Sequence, residues 1–246
     1  MIDVRSLTHR FGDRTVLRGI NLHVAPGTIA TIMGSSGGGK TTLLKCISGL
    51  LIPSEGEVTV AGTSVGAEPE RARRAMGMVF QSAALFDSMT VRENVLFGVR
   101  RHAPVPRPQE AELVTEVLEL VGLDPTVADL LPAELSGGMR KRVGIARAIA
   151  LAPKVLLYDE PTTGLDPITT YTIDAVMVRL AKERGVTSLV VSHDVSSVMR
   201  VSDQIAFLHA GELIFDGDPQ GFAQQEAPAI AELIQKSRAT AFSVQD

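Results

Sequence analysis

The chain has 246 residues, 45% hydrophobic and 21% charged, a length that suits one large α/β domain or two small ones with a full-sized core. That balance excludes a disordered or collagen-like chain, and a formal net charge of −4 offers no basic field to gather nucleic acid. One cysteine, Cys46, supplies neither an internal disulfide nor a metal cluster, which points to a reducing compartment.

Strands are predicted over residues 2–7, 16–24 and 28–33, parted by turns at Gly12-Asp13 and Pro26-Gly27. A glycine-rich loop follows, then a helix over 40–50, a turn at Pro53-Ser54-Glu55-Gly56 and a strand over 57–61. Another strand covers 76–80. From Ser82 to Pro132 the pattern is mainly helical: Leu113, Val117 and Leu120 line one face of a segment that also carries Glu112, Glu116 and Glu119. Pro104, Pro106 and Pro108 mark the loop before it. Ser136 is a good N-cap for a helix over 140–152, ended by Pro153. Strands over 155–158, 188–191 and 205–208 alternate with helical segments, which implies a parallel sheet with helices on both faces. The organisation is one α/β core with a helical insert between roughly 82 and 135. After Gly217, Phe222, Ile230, Leu233 and Ile234 fall at helical spacing. No apolar run approaches the roughly 20 residues that a bilayer requires, and the start lacks the apolar run of a signal peptide. A soluble, cytoplasmic chain is expected.

Gly34, Ser35, Ser36, Gly37, Gly38, Gly39, Lys40 and Thr41 fit G-x-x-x-x-G-K-[ST] at every fixed position, after a predicted strand and before a predicted helix. Glycines let the backbone curl so that its N–H groups point at phosphate oxygens, and the helix start adds partial positive charge. Lys40 is placed to reach the β- and γ-phosphates, and the Thr41 hydroxyl to bind Mg²⁺. Thr42 is assigned to the same cradle. The loop marks a nucleoside triphosphate site without separating ATPases, GTPases and kinases.

The apolar strand over 155–158 ends in Asp159 and Glu160. Asp159 emerges beside the phosphate loop, where it can hold Mg²⁺, and Glu160 can orient and deprotonate an attacking water. Leu135-Ser136-Gly137-Gly138 opens a second helix with uncovered backbone N–H groups, a second anion-ready start about 100 residues downstream.

These motifs, with Gln81 after the 76–80 strand, Gly164-Leu165-Asp166, and His193 after the 188–191 strand, occur in the order of the ATP-binding cassette (ABC) transporter nucleotide-binding domain, which residues 1 to about 217 resemble. The resemblance implies an α/β fold: a P-loop NTPase (RecA-like) core, an N-terminal antiparallel β subdomain and a helical subdomain over about 82–152, with 218–246 as a helical tail. It implies ATP and Mg²⁺, and a head-to-tail homodimer or paired cassette in which Ser136, Gly137 and Gly138 meet the γ-phosphate bound by the other subunit. Gln81 is then assigned to Mg²⁺, the attacking water and the membrane partner, His193 to the γ-phosphate, Asp166 to the dimer interface, and Phe11 to stacking on adenine. Arg71, Arg73 and Arg74, and Arg140, Lys141 and Arg142, are expected on solvated helix faces or dimer rims.

Met139 stands where the common motif has Gln. With the 80–91 segment and Asp166-Pro167-Ile168-Thr169, it resembles the Mla/Mce-type phospholipid-transport branch. That branch implies a two-subunit integral membrane permease, a periplasmic Mce-type lipid-binding protein, and a peripheral position on the cytoplasmic side of the bacterial inner membrane. It leaves open a small regulatory subunit. Residues 83–89, with Phe86 and Met89, are expected to receive the permease. The alternative is the ATPase of an importer for a polar solute such as an amino acid.

Overall fold

The computed structural model describes residues 1–35 and 37–242. Two strands, β1 (Ile2–Phe11) and β2 (Arg14–Val24), pair antiparallel across the Gly12-Asp13 turn. β1 outruns its predicted end because Ser6 takes a left-handed φ of 47° and the register slips between Val4 and Leu7, a bulge that lets the strand continue to Phe11. β3 (Ile29–Gly34) is buried throughout and feeds α1 (Lys40–Ile47), which stops before the left-handed Gly49. β4 (Glu55–Val60) and β5 (Thr63–Ser64) complete a sheet of order β2-β1-β4-β5. Then come α2 (Pro69–Arg74) and β6 (Met76–Val79).

The helical insert holds α3 (Val91–His102), α4 (Arg107–Leu120) and α5 (Gly137–Ile149), with short 3-10 turns at Pro125–Asp129 and Pro132–Glu134. A reciprocal Thr90–Glu93 capping box starts α3. Beyond it lie β7 (Val155–Asp159), α6 (Pro167–Arg184), β8 (Thr187–Val191), α7 (Val195–Val201), β9 (Gln204–His209), β10 (Glu212–Gly217), α8 (Pro219–Ala223) and α9 (Pro228–Phe242).

The second sheet runs β10-β9-β3-β8-β7-β6, parallel except for β10 against β9. Its strands read as unbroken apolar runs because both faces are covered. The two-residue alternation of β7 shows how. Val155 and Leu157 join α1 and the small sheet through Leu43, Leu44 and Leu17, whereas Leu156 and Tyr158 join the helical insert and α6 through Val95, Val143 and Ile173. α8 and α9 set Phe222 and Ile230 against Met33, Ile205 and Phe207. The parallel strands bring four carboxyl ends to one edge, since Asp159 pairs with Val191, Ile32 with Val191 and Val79 with Tyr158. In such sheets that edge is where ligands bind.

Candidate active site

The phosphate loop leaves β3 at Gly34, whose φ of 147° and position against Leu208 leave no room for a side chain: an added Cβ would lie 2.0 Å from Leu208 O. Gly39 caps α1 in a left-handed conformation, packed on Leu17. Lys40 folds back into this loop, its Nζ donating to Gly34 O and Ser35 O, each at 2.9 Å. Burial pushes the ammonium pKa down, and the charges of Glu160 and Asp159 oppose that fall. Thr41 and Thr42 line a cleft of about 470 Å³ with Phe11, Arg14 and Lys40. Phe11 is 51% exposed at the end of β1, its ring perpendicular to that of His9 at 4.6 Å between centres. Ser36 lies outside the described residues.

At the end of β7, burial and the adjacent Glu160 charge raise the Asp159 pKa, with Lys45 and Lys40 opposing. Mg²⁺ is usually held by one or two protein oxygens plus phosphate and water, and the hydroxyl of Thr41 with the carboxylate of Asp159 makes such a hard-oxygen set. Glu160 has a left-handed φ of 52°, uncommon for a residue with a side chain, and its N–H is tied to Val191 O at 3.0 Å. Its carboxylate is 17% exposed. Oε2 accepts from Thr163 Oγ1 at 2.9 Å and lies 2.6 Å from His193 Nδ1. With Nδ1–H donating to Glu160, the neutral imidazole keeps Nε2 as an acceptor, and donation from Nε2 to a phosphate oxygen calls for the imidazolium. Glu160 and His193, read separately in the sequence, are thus one hydrogen-bonded pair.

Gln81 is exposed, two residues past the end of β6, on the edge that carries Glu160. Behind it Ala83 and Ala84 both take left-handed φ, 62° and 48°, and Arg147 of α5 donates to their carbonyls at 3.0 and 2.6 Å. The fully buried Asn94 accepts from Phe86 N and donates to Phe86 O, Met89 O and Thr90 O, fixing the next stretch. The rings of Phe86 and Phe97 meet at 4.5 Å, both exposed. Ser136 caps α5 by accepting from Met139 N at 3.2 Å. Ser136, Gly137 and Gly138 are absent from the cleft that Lys40 lines. Gly138 packs so closely on Thr169 that an added Cβ would meet Cγ2 at 2.4 Å, while at Gly137 it would meet only the far end of the Arg140 side chain, at 4.0 Å. Asp166 caps α6, accepting from Ile168 N, Thr169 N and Thr169 Oγ1, and these bonds hold its pKa below the usual range.

Sequence reasoning placed Lys141 and Arg142 on solvated helix faces or dimer rims, and the structure corrects this. Lys141 is 8% exposed, with Nζ donating to Thr163 O at 3.2 Å, and Arg142 is half-buried and donates to Gly122 O. Thr163, Arg147 and Asn94 were also missed. Helical periodicity gave the only available signal, since positions 141 and 147 lie near the buried stripe of Val143 and Ile145.

A family model described as "ABC transporter" matches residues 17–163. The intermembrane phospholipid transport system ATP-binding protein MlaF of Haemophilus influenzae is 40% identical over 95% of this chain and 90% of its own length. The methionine import ATP-binding protein MetN 1 of Rhodococcus jostii is 44% identical over 88% of this chain and 66% of its own. A dimeric ATP-binding cassette, MJ0796, solved in a post-hydrolysis state with ADP and Pi, superposes with a TM-score of 0.81 at 31% identity, covering 89% of this chain and 99% of that one.

Proposed function

This chain belongs to the ABC transporter family as an ATP-hydrolysing subunit, and on that premise we propose that it powers phospholipid movement between membranes through a partner permease. The likeness to an intermembrane phospholipid transport ATP-binding protein over 95% of the chain carries this reading. Met139 and the Phe86-Asp87-Ser88-Met89 run favour it as well.

ATP lies in the phosphate loop with its adenine on Phe11. Lys40 exchanges its Gly34 and Ser35 carbonyls for β- and γ-phosphate oxygens, which repay its burial better than neutral carbonyls do. The backbone N–H groups of Gly34, Ser35, Gly37, Gly38 and Gly39, with Thr41 and Thr42, cradle the remaining oxygens. Thr41 and Asp159, with Gln81 beside them, would hold Mg²⁺, which when bound would neutralise phosphate charge. Glu160 takes the proton of the attacking water on Oε1, the oxygen that Thr163 and His193 leave free. His193 reaches the γ-phosphate with its outer nitrogen, and Gln81 orients the water. Ser136, Gly137 and Gly138 of a second copy close over the same γ-phosphate, with Asp166 at the join, so turnover needs a homodimer or a paired cassette.

Exposed Phe86 and half-buried Met89, on a loop stiffened by Asn94, offer the permease an apolar seat. Among the described residues no helix is long and apolar enough to cross a membrane, and the chain sits peripherally on the cytoplasmic face of the inner membrane, below a two-subunit permease and a periplasmic Mce-type lipid-binding protein. The 44% identity to a methionine import relative supports a second reading, the ATPase of a polar-solute importer.

Mass spectrometry of what co-purifies from native membranes in mild detergent separates the two. A permease pair with an Mce-type protein and enriched phospholipid is the expected result. A permease with a solute-binding protein and no enriched lipid removes the lipid assignment.

A further inference from the structure

Burial pushes the Lys141 ammonium pKa down, and the nearby Glu160 charge opposes that fall. An ammonium carries three donors and loses much solvation on burial, yet its hydrogen-bond partner here is a single neutral carbonyl, Thr163 O at 3.2 Å. Thr163 is also where α5 meets the catalytic edge. Its hydroxyl donates to Glu160 Oε2 at 2.9 Å, and its N–H donates to Glu160 O at 3.3 Å. Thr163 thus closes a tight turn on Glu160 from both side chain and backbone, while Lys141 holds that turn from outside. Thr163 and His193 both use Oε2, which leaves Oε1 for other partners. The left-handed φ of Glu160 makes such support necessary, since strained backbone persists only where its surroundings over-determine it.

We propose that Thr163 and Lys141 are positioning residues for Glu160: the Thr163 hydroxyl aims the carboxylate, and Lys141 fixes Thr163 to the helix that opens with Ser136-Gly137-Gly138. The inference rests on the reading of Glu160 as the base. It gives α5 a task in its own subunit besides the contact its first residues make with nucleotide in the other.

The test uses the full chain, with steady-state ATP turnover and equilibrium ATP affinity measured on each variant. Thr163→Val should lower kcat about tenfold, within what a misplaced catalytic group costs, with ATP affinity within about twofold of the parent. Thr163→Ser, which keeps the hydroxyl, should restore kcat to within about threefold. Lys141→Met should lower kcat about threefold, and the Lys141→Met/Thr163→Val double variant should be no slower than Thr163→Val alone, because Lys141 acts on Glu160 by placing the hydroxyl that Thr163→Val has already removed. A Thr163→Val kcat within twofold of the parent, a Thr163→Ser variant as slow as Thr163→Val, or multiplying losses in the double variant would each overturn the proposal. Should Thr163→Val misfold, Thr163→Ala against Thr163→Ser makes the same comparison. Glu160→Gln serves as reference: if it keeps parental turnover the role of Glu160 itself fails, and if it collapses while Thr163→Val does not, only the present inference fails.

Discussion

At the start of α1 the backbone is pinned from below by Leu208 and from the side by Leu17, and Lys40 is satisfied by its own loop. The start of α5 is held differently: Ser136 caps it, Gly138 rests on Thr169, and Gly137 is met only by the far end of the Arg140 side chain. Both helix starts can bind anions, but the first is walled at Gly34 by backbone and at Gly39 by a core side chain, the second only at Gly138 by Thr169. A walled loop is preorganised and self-sufficient. An open one gains its ligand's company only when something else brings the ligand to it, which is what a site shared between two subunits needs.

Substitutions at the two starts should therefore differ in kind. The largest effect is expected from Lys40→Ala, which removes the buried cation: ATP affinity should fall about a hundredfold or more, a loss of about 3 kcal/mol, in equilibrium titration with a fluorescent ATP analogue. Retained affinity would end the role given to Lys40.

Next, Gly34→Ala forces a Cβ into the Leu208 carbonyl at a strained φ and should cost about 3 kcal/mol, seen as a fall in Tm of roughly 6–12 °C for a chain of this size. Gly137→Ala has space and should leave Tm within about 2 °C, while turnover drops about tenfold because the methyl obstructs the approaching phosphate. Equal Tm losses at the two glycines would erase the contrast between the walled and the open start.

Ser136→Ala comes third. Losing an N-cap costs about 1 kcal/mol, or a Tm drop of roughly 2–4 °C, with turnover falling further than stability explains. A variant that loses stability and keeps turnover shows a cap and nothing more.

The smallest effect on stability is expected at Asp159, and its sign is informative. Burial and Glu160 raise its pKa above the ordinary 3.8, so the folded state holds that proton more tightly than the unfolded chain does. Stability is then lost as pH rises from 3.8 through the raised value and stays lost at neutrality. Asp159→Asn should raise the Tm of the nucleotide-free chain by about 1–3 °C at pH 7, with the gain vanishing below 3.8, while Mg²⁺-dependent turnover is abolished. A gain that persists at low pH would point to packing rather than charge.

The sequence made the catalytic edge readable because its strands are buried on both faces: Val155-Leu156-Leu157-Tyr158 has no competing pattern, and the phosphate loop is fixed by residue types that only one backbone shape uses. Other parts were less legible for physical reasons. β10, with half-exposed residues and a hairpin turn at Ala210-Gly211, both at positive φ, lacks the apolar run of a buried strand. The helix expected over 140–152 begins at Gly137 and ends at Ile149, because the Ser136 cap outweighs the poor helix propensity of two glycines. Thr163 and Lys141 went unread because their partners are 3 and 22 residues away in a chain path that only folding brings together.

Phe222 and Ile230 have no exposed surface and rest on Met33, the residue just before Gly34, and on Phe207. Each such side chain is worth about 1.5–3 kcal/mol of burial, so the pair is a sizeable share of the 5–15 kcal/mol that keeps a typical domain folded. A protein engineer choosing where to trim or fuse this chain should thus treat Gly217 as interior: a cut there would strip the floor from the strand that delivers the phosphate loop, while a tag or label is better joined beyond Ile234.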